Sequence, residues 1–293
     1  MIKESIGDRL FGSVIYVVLA ILSILMIYPL VYVFSASISD PTAILKGEVW
    51  LLPKDITFDS YKKVFQNSQI LIGYRNTVIY TLLGVVINLV LSIMIAFPLS
   101  RKDFKGKNFI TMIIVFTMFF SGGMIPTYLL VKNLGMLNTI WSVLIPGAVS
   151  VYNVIIIRTF FQGIPDELRE SAEMDGCSNM QYLFRILLPL SKPIIAVMVL
   201  FYGVGHWNAF FDALIYLTDQ NKFPLQLFLR DMLIKDDMSN MAQMSDEIVS
   251  RYLMQIEGLK YAVVVVASLP MLILYPFLQR YFVKGVMIGA LKG

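Results

Sequence analysis

The stretch PDELRESAEMDG, residues 165–176, is strongly polar and carries the marks of a helix with defined ends. Pro165 suits the first position of a helix, because its missing N–H needs no partner there, and acidic residues crowd the turn that follows. Gly176 suits the left-handed position that ends a helix. We therefore predict a short helix that begins at Pro165 and ends at Gly176.

A second short helix is predicted directly after the first. Ser178, with Gln181 three residues later, is the signature of a capping box at a helix start, and Pro189 bounds this helix at its other end. The two helices form a rigid elbow within the polar segment 161–193. Apolar segments of membrane-spanning length flank the elbow on both sides. A stiff polar elbow in that position indicates a docking lever for a partner.

The composition places the chain among membrane proteins. Of its 293 residues, 57% are hydrophobic and 15% are charged, whereas a soluble domain carries about 25% charged residues. The single cysteine excludes an internal disulfide, and the single histidine excludes a histidine-rich metal site. The sequence has no phosphate-binding G-x-x-x-x-G-K-[ST] loop and no catalytic triad. We do not predict an enzyme, and any ATP hydrolysis must come from another chain.

Six apolar runs are each long enough to cross about 30 Å of hydrocarbon. They cover residues 13–34, 76–99, 109–131, 138–160, 194–217 and 261–283. Each run is continuous and does not alternate in the manner of a membrane strand, so helix is the spanning structure that fits. We therefore predict an all-α membrane protein with one transmembrane domain, residues 1–293, in which the elbow joins the fourth and fifth spans.

The loop 100–108 predicts the orientation of the chain. It holds four basic residues against one acidic residue, Asp103. Cytoplasmic loops carry an excess of lysine and arginine, so this loop is predicted to be cytoplasmic. Alternation of the six spans then places both termini and the elbow inside, with 35–75 and 218–260 outside.

The elbow also carries a spaced pattern of residues that resembles a known family. The pattern consists of Glu170, Ala172, Asp175, Gly176, Ile186, Leu188 and Pro189. It resembles the EAA loop of permease subunits of ATP-driven (ABC) importers. The resemblance implies that the elbow docks on an ATPase subunit, with Glu170 and Gly176 in the contact. Our docking candidates are Glu170, Ala172, Asp175, Gly176, Ile186 and Pro189. The alternative is an ordinary amphipathic loop whose charges are solvated.

The fifth predicted span holds unusual polarity at membrane depth. In a continuous helix Gly205, Asn208 and Asp212 share one face, and Tyr202 and His206 share another. Ionisable residues in hydrocarbon tend to face a bundle interior or a wet cavity. One interpretation is a pathway that binds a polar solute, and the alternative is helix packing in which glycines of this span allow close approach. His206 by itself is interpreted as a packed, hydrogen-bonded residue.

Other polar or flexible positions complete the set of candidates. The residues proposed to line a solute pathway are Tyr152, Asn153, His206, Trp207, Asn208 and Asp212. Asn88 is predicted to form an interhelical hydrogen bond. Pro126 and Pro146 are predicted to kink their helices. The pair 122–123 is either a hinge or a packing notch, and we expect a notch.

The resemblance extends through nearly the whole chain, to carbohydrate-importer permeases. The segment 206–216 is similar to the subgroup that handles complex oligosaccharides, and the tail 285–293 resembles the maltose type. This implies half of a pore in a bacterial plasma membrane, paired with a second, homologous permease. It also implies two ATPase subunits that hold ATP and Mg, an extracytoplasmic solute-binding protein and a sugar substrate. No cofactor is expected on this chain, and no nucleic acid partner.

Two other functions remain open at this point. An ion-coupled secondary transporter would use intramembrane charges, for which His206 and Asp212 are available. A membrane scaffold without a solute is the third possibility. Genes for a sister permease and a binding lipoprotein beside this one would favour the importer, and so would transport that follows ATP and not an ion gradient.

Overall fold

The computed structural model describes residues 6–234 and 256–276, and all regular structure within those ranges is helical. In chain order the helices are α1 (Ile6–Ser37), α2 (Pro41–Leu45), α3 (Asp59–Gln66), α4 (Ser68–Ser100), α5 (Lys107–Phe119), α6 (Met124–Asn133), α7 (Ile140–Leu144), α8 (Val151–Gln162), α9 (Glu167–Met174), α10 (Asn179–Tyr182), a π-helical turn (Leu183–Leu187), α11 (Leu188–Leu190), α12 (Lys192–Asn208), α13 (Phe211–Tyr216), a 3-10 turn (Gln220–Lys222), α14 (Leu225–Ile234) and α15 (Ile256–Pro276).

Three helices are long and apolar enough by themselves to cross a membrane: α1, α4 and α15. They cover the first and second predicted spans and the part of the sixth that lies before residue 277. The remainder of the sixth span and the tail 285–293 lie outside the described residues, as does the segment 235–255. Two bent helix pairs also meet the length and composition of a span: α5 with α6, and Asn179–Leu190 with α12, which meet at 82°. They give up to five candidate spans in the described chain.

The third predicted span is one of these bent pairs. Helices α5 and α6 meet at an angle of 109° across a break of four residues. Gly123 lies in this break with φ +86°, a left-handed conformation that favours glycine, and no atom lies within 4 Å of where its Cβ would be. The packing-notch interpretation is therefore wrong for Gly123, which serves the bend. Pro126 follows in the first turn of α6, where its missing N–H is tolerated.

The fourth predicted span is divided between α7 and α8. The intervening residues 145–150 contain Pro146, which lacks the N–H that a continuing helix needs. The structure thus replaces the predicted kink at Pro146 with a break. A new cap starts α8, since the Oγ of Ser150 accepts from the backbone N–H of Asn153 at 3.4 Å.

The fifth predicted span is also two helices, α12 and α13. The first ends at Asn208, and Ala209 is extended with ψ 126°. The side chain of Asn208 donates to the carbonyl of Val204 at 3.0 Å, a local bond of the kind that competes with helical structure. The prediction that Asn208 and Asp212 lie one turn apart on a continuous helix is therefore wrong, because a break separates them.

The described residues group into two compact units: 6–70 with 229–234 and 256–269, and 71–228 with 270–276. In the first unit a small core joins α1 to α2, and Tyr32 of α1 meets Tyr261 of α15 edge-on at 5.8 Å. In the second unit one core cluster joins α4, α8 and α12 to the elbow, and another joins α4, α7, α13 and α14. The elbow is thus part of a packed core and is not a free loop. The single transmembrane domain stays a prediction.

Candidate functional site: the polar elbow and the broken fifth span

The first elbow helix, α9, ends in a complete Schellman motif. Gly176 has φ +77°, as the sequence predicts. Its N–H donates to the carbonyl of Glu173 at 3.0 Å, and the N–H of Cys177 donates to the carbonyl of Ala172 at 2.9 Å. The helix begins at Glu167, two residues after the predicted start at Pro165. The corner between the elbow helices is therefore fixed by backbone hydrogen bonds.

The second elbow helix begins with the predicted capping box. The N–H of Gln181 donates to the Oγ of Ser178 at 3.3 Å, and the N–H of Ser178 donates to the Oε1 of Gln181 at 2.8 Å. Helical structure ends at Leu190, one residue after the predicted limit at Pro189. A π-helical turn, Leu183–Leu187, precedes the proline and widens the helix. The wider turn accommodates a residue that has no N–H to donate and whose ring crowds the preceding carbonyls.

The docking candidates divide between surface and core. Ala172 is buried in the core that joins the elbow to α4, α8 and α12. Glu170, Asp175, Gly176 and Pro189 are exposed, and Ile186 is half-buried. The surface of the elbow also has an apolar part. Three large exposed side chains of the elbow are Met174 (89% exposed), Met180 and Phe184.

The loop after α4 is attached to the elbow by charged side chains. The guanidinium of Arg101 donates twice to the carboxylate of Asp103, at 2.8 and 2.6 Å. The bonds from Arg101 hold the pKa of Asp103 down at about 2, so this carboxylate stays charged at any physiological pH. Lys102 pairs with Asp166 of the elbow at 2.5 Å. The sequence predicted this loop to be cytoplasmic and gave no signal that it touches the elbow.

A cavity of about 230 Å³ lies where this loop meets the elbow. Its wall combines aromatic and cationic side chains, among them Phe97, Phe161, Arg101 and Arg169. Within the described part of the chain, no group of three or more His, Cys, Asp or Glu residues is arranged to hold a metal ion.

The polar residues at the end of α12 form an interhelical network. Nε2 of His206 lies 3.3 Å from Oδ1 of Asn88 on α4, and Nδ2 of Asn88 donates to the carbonyl of Gly147 at 3.4 Å. The predicted interhelical hydrogen bond of Asn88 is thereby confirmed, and so is the packed, hydrogen-bonded character of His206. The network connects α4 with α12 and with the break between α7 and α8.

The remaining pathway candidates have different surroundings. Trp207 is 4% exposed and meets Tyr74 edge-on at 5.6 Å, so it packs inside the protein. Asn208 is exposed, and its Oδ1 accepts from Nε2 of Gln226 at 3.3 Å. Asp212 is half-buried. Gln226 belongs to a segment that the sequence placed in an outer loop, so sequence reasoning missed this amide pair.

The two pathway candidates on α8 differ in their exposure to solvent. Tyr152 is 59% exposed, whereas the adjacent Asn153 is buried. The structure therefore leaves Tyr152 and Asn208 with open surroundings, and it places Asn153 and Trp207 in the packed interior.

The segment after α13 is held by an asparagine that the sequence did not single out for this role. Asn138 has φ +55°, and its Oδ1 accepts from the backbone N–H groups of Thr218 and Asp219 at 3.2 and 3.1 Å. Its own N–H donates to the carbonyl of Tyr216 at 2.8 Å. One residue thus organises the turn that leads from α13 to α14.

The chain matches a known family along almost its full length. The family model described as "binding-protein-dependent transport system inner membrane component" matches residues 1–288. This chain therefore belongs to the family of inner membrane components of binding-protein-dependent transport systems.

Three individual relatives resemble the chain over most of its length. Protein LplC of Bacillus subtilis (strain 168) is 42% identical over 267 residues, which cover 91% of this chain and 90% of that protein. The polygalacturonan/rhamnogalacturonan transport system permease protein YtcP of the same strain is 38% identical, with 98% and 99% covered. A chain in the crystal structure of a bacterial ABC transporter involved in the import of the acidic polysaccharide alginate is 34% identical. It superposes with a TM-score of 0.87, and 96% of this chain and 100% of that chain are covered.

Proposed function

We propose that this chain is the permease subunit of an ATP-driven sugar importer and forms half of the translocation pathway for a sugar or oligosaccharide. The observation that carries the proposal is the full-length likeness to a chain of the alginate importer, at 34% identity and a TM-score of 0.87. The relatives named for polygalacturonan/rhamnogalacturonan and arabinooligosaccharide transport point to the same class of substrate. The other half of the pathway belongs to a second, homologous permease.

The membrane arrangement that we propose has six spans with both termini in the cytoplasm. Helices α1, α4 and α15 provide the first, second and sixth spans, and the bent pair α5–α6 provides the third. The broken segments 138–160 and 194–217 provide the fourth and fifth. Irregular backbone at membrane depth is tolerated where it is packed against protein or lines a wet cavity. The hydrogen bond from Asn88 to the Gly147 carbonyl supports such packing at one of the breaks.

The elbow is proposed to dock on one of two ATPase subunits, which hold ATP and Mg. Its corner is rigid, and it presents exposed acidic groups such as Glu170 beside exposed apolar groups such as Met174. Such a surface is suited to a partner that offers a basic and apolar groove. A solute-binding protein on the opposite side of the membrane is proposed to deliver the sugar.

The solute pathway is proposed to include Tyr152, Asn208 and Asp212. Sugar hydroxyls bind amides and carboxylates, and the faces of sugar rings stack on aromatic side chains. Exposure of Tyr152 and Asn208 supports their place in the lining. Asn153, His206 and Trp207 remain in the proposal as supporting residues that hold the lining in place.

Uptake by reconstituted vesicles tests the proposal. Vesicles that contain this chain, its sister permease and the ATPase subunits should import a sugar only when ATP and the sugar-loaded binding protein are both supplied. Oligogalacturonates and neutral oligosaccharides are the substrates to compare, because the relatives named above include carriers of acidic polysaccharides. Uptake that follows an imposed ion gradient without ATP would contradict the proposal and favour a secondary transporter.

Substitution of the pathway residues tests the lining separately. Asn208→Ala and Asp212→Ala should reduce sugar uptake while the complex still assembles. A lower yield of complex with normal uptake per complex would show that these residues only pack helices together.

A further inference from the structure

Arg101 occupies a junction between α4 and the elbow. It directly follows the last residue of α4, and its side chain is 15% exposed. Two of its nitrogens bind the carboxylate of Asp103, which fixes the plane of the guanidinium. The group also reaches the elbow twice. Nη2 lies 3.4 Å from the carboxylate of Glu173 on α9, and Nη1 donates to Oδ1 of Asn179 at the start of α10.

The two contacts on the elbow lie on opposite sides of its rigid corner. Glu173 belongs to the last turn of α9, and Asn179 opens α10. A single planar guanidinium therefore holds both elbow helices relative to the end of α4. Arginine suits this role because it offers five donors in a fixed fork, whereas a lysine ammonium is a flexible point charge.

The neighbouring ion pairs contribute less than Arg101 does to the connection between α4 and the elbow. Lys102 pairs with Asp166 near the start of α9, but the lysine side chain is 81% exposed, and exposed pairs contribute little. Arg169 pairs with Glu173 at 2.8 Å within α9 itself, so this bond cannot transmit force from another helix. Of these three basic residues, Arg101 is the one that is shielded from solvent and also connects the end of α4 to both elbow helices.

We propose that Arg101 is a positioning residue for energy coupling: it transmits the displacement of α4 to the elbow and so to the ATPase contact. This inference rests on the proposed docking of the elbow. Arg101 is largely covered by the loop and the elbow, so it acts on the ATPase through the elbow helices. Without it the elbow keeps its own caps, its core contacts and the exposed Lys102–Asp166 pair, but it loses the solvent-shielded connection to the end of α4.

The test compares coupling with assembly in the complete reconstituted transporter. Arg101→Met removes the fork and keeps an apolar side chain of similar length. We expect normal recovery of the assembled complex and a fall of roughly fivefold in sugar imported per ATP hydrolysed, the lower end of ordinary coupling between sites. Arg101→Lys should restore only part of the loss, because an ammonium cannot hold Asp103, Asn179 and Glu173 together. Lys105→Met, an exposed position on the same loop, is the matched control and should behave as wild type.

A double-mutant cycle tests whether the contact between Arg101 and Glu173 is responsible for the effect. Glu173→Gln alone should lower the uptake per ATP, and the combination with Arg101→Met should be no worse than Arg101→Met alone. If Arg101→Met fails to assemble, Glu173→Gln and Asn179→Ala each remove one elbow contact and provide the same readout.

The outcomes separate this inference from the docking proposal. The inference is overturned if the sugar imported per ATP hydrolysed is unchanged in Arg101→Met and Glu173→Gln. It is also overturned if Arg101→Met lowers only the yield of complex and leaves the sugar imported per ATP hydrolysed normal. If the Glu170→Lys and Gly176→Asp substitutions both leave ATPase binding and transport intact, the docking proposal itself fails. If Glu170→Lys loses ATPase binding while Arg101→Met imports the normal amount of sugar per ATP hydrolysed, only the role of Arg101 is overturned.

Discussion

A close contact between α4 and α12 depends on a single residue, Gly84. A Cβ atom at this position would lie 2.3 Å from Nε2 of His206, so a glycine is needed beneath the imidazole. One of the two interpretations of the sequence assigned close approach to glycines of α12. A Cβ at Gly203 would meet Val85 of α4 at 3.9 Å, which is an ordinary van der Waals contact. The structure shows open space within 4 Å of a Cβ at Gly205. The small residue that admits the neighbouring helix thus lies on α4.

We expect Gly84→Ala to destabilise the protein by about 1–3 kcal/mol, because the added methyl group overpacks the contact with His206. His206→Ala in the same chain should recover much of this loss, since substitutions at touching residues are not additive. Thermal unfolding of the solubilised complex measures both effects. Gly205→Ala is the matched control within the contacted helix. An equal loss from Gly84→Ala with and without His206 would contradict the packing argument.

A second single residue, Asn138, holds the turn after α13. Replacement by alanine removes the acceptor for two backbone N–H groups and places an alanine at φ +55°. We expect a local loss of about 2 kcal/mol, seen as faster hydrogen exchange at the amides of Thr218 and Asp219.

Two matched variants separate the causes of that loss. Asn138→Gly relieves the backbone strain without restoring an acceptor, and Asn138→Asp keeps an acceptor. The aspartate should therefore protect these amides best. Equal exchange rates in the alanine and aspartate variants would contradict the assigned hydrogen bonds.

At the scale of secondary-structure elements, the elbow combines strong local signals with a surface that only packing reveals. Its caps at Gly176 and Ser178 formed as predicted. Two of its helix limits differ from the prediction by one or two residues, and the π-helical turn was not predicted. The helix start moved to Glu167, and the second helix continued through Pro189.

Charge reversal on the elbow tests its role as an element. Glu170→Lys should weaken binding of the ATPase subunits by about 2 kcal/mol or more, if the glutamate meets a basic group there. Gly176→Asp should also weaken binding, because a side chain at φ +77° strains the corner. Co-purification of the ATPase subunits is the measurement. Glu167→Lys, an exposed acid on the same helix, is the control. Wild-type co-purification and transport in both test variants would contradict the docking role.

At the scale of the whole molecule, the orientation in the membrane remains a prediction with a direct test. In a Cys177→Ala background, Lys105→Cys should resist an impermeant thiol reagent added to intact cells, because the basic loop is predicted to be cytoplasmic. Leu52→Cys, at a residue 79% exposed in the predicted outer loop, should react readily and serves as the control. Labelling of the Lys105 position in intact cells, with Leu52 protected, would reverse the orientation.

The sequence by itself determined the class of protein, most of the apolar segments and the two caps of the elbow. Those features depend on composition or on residues a few positions apart, so local physical rules describe them. The tertiary structure decided which residues meet across the chain. The bond from Arg101 to Glu173 joins residues 72 positions apart, and that between His206 and Asn88 joins residues 118 apart. Pro146 and Asn208 favour breaks in the fourth and fifth spans locally, and tertiary contacts decide whether those breaks persist. Hydropathy measures the length of an apolar run, whereas a break persists because neighbouring helices supply the contacts that the interrupted helix has lost.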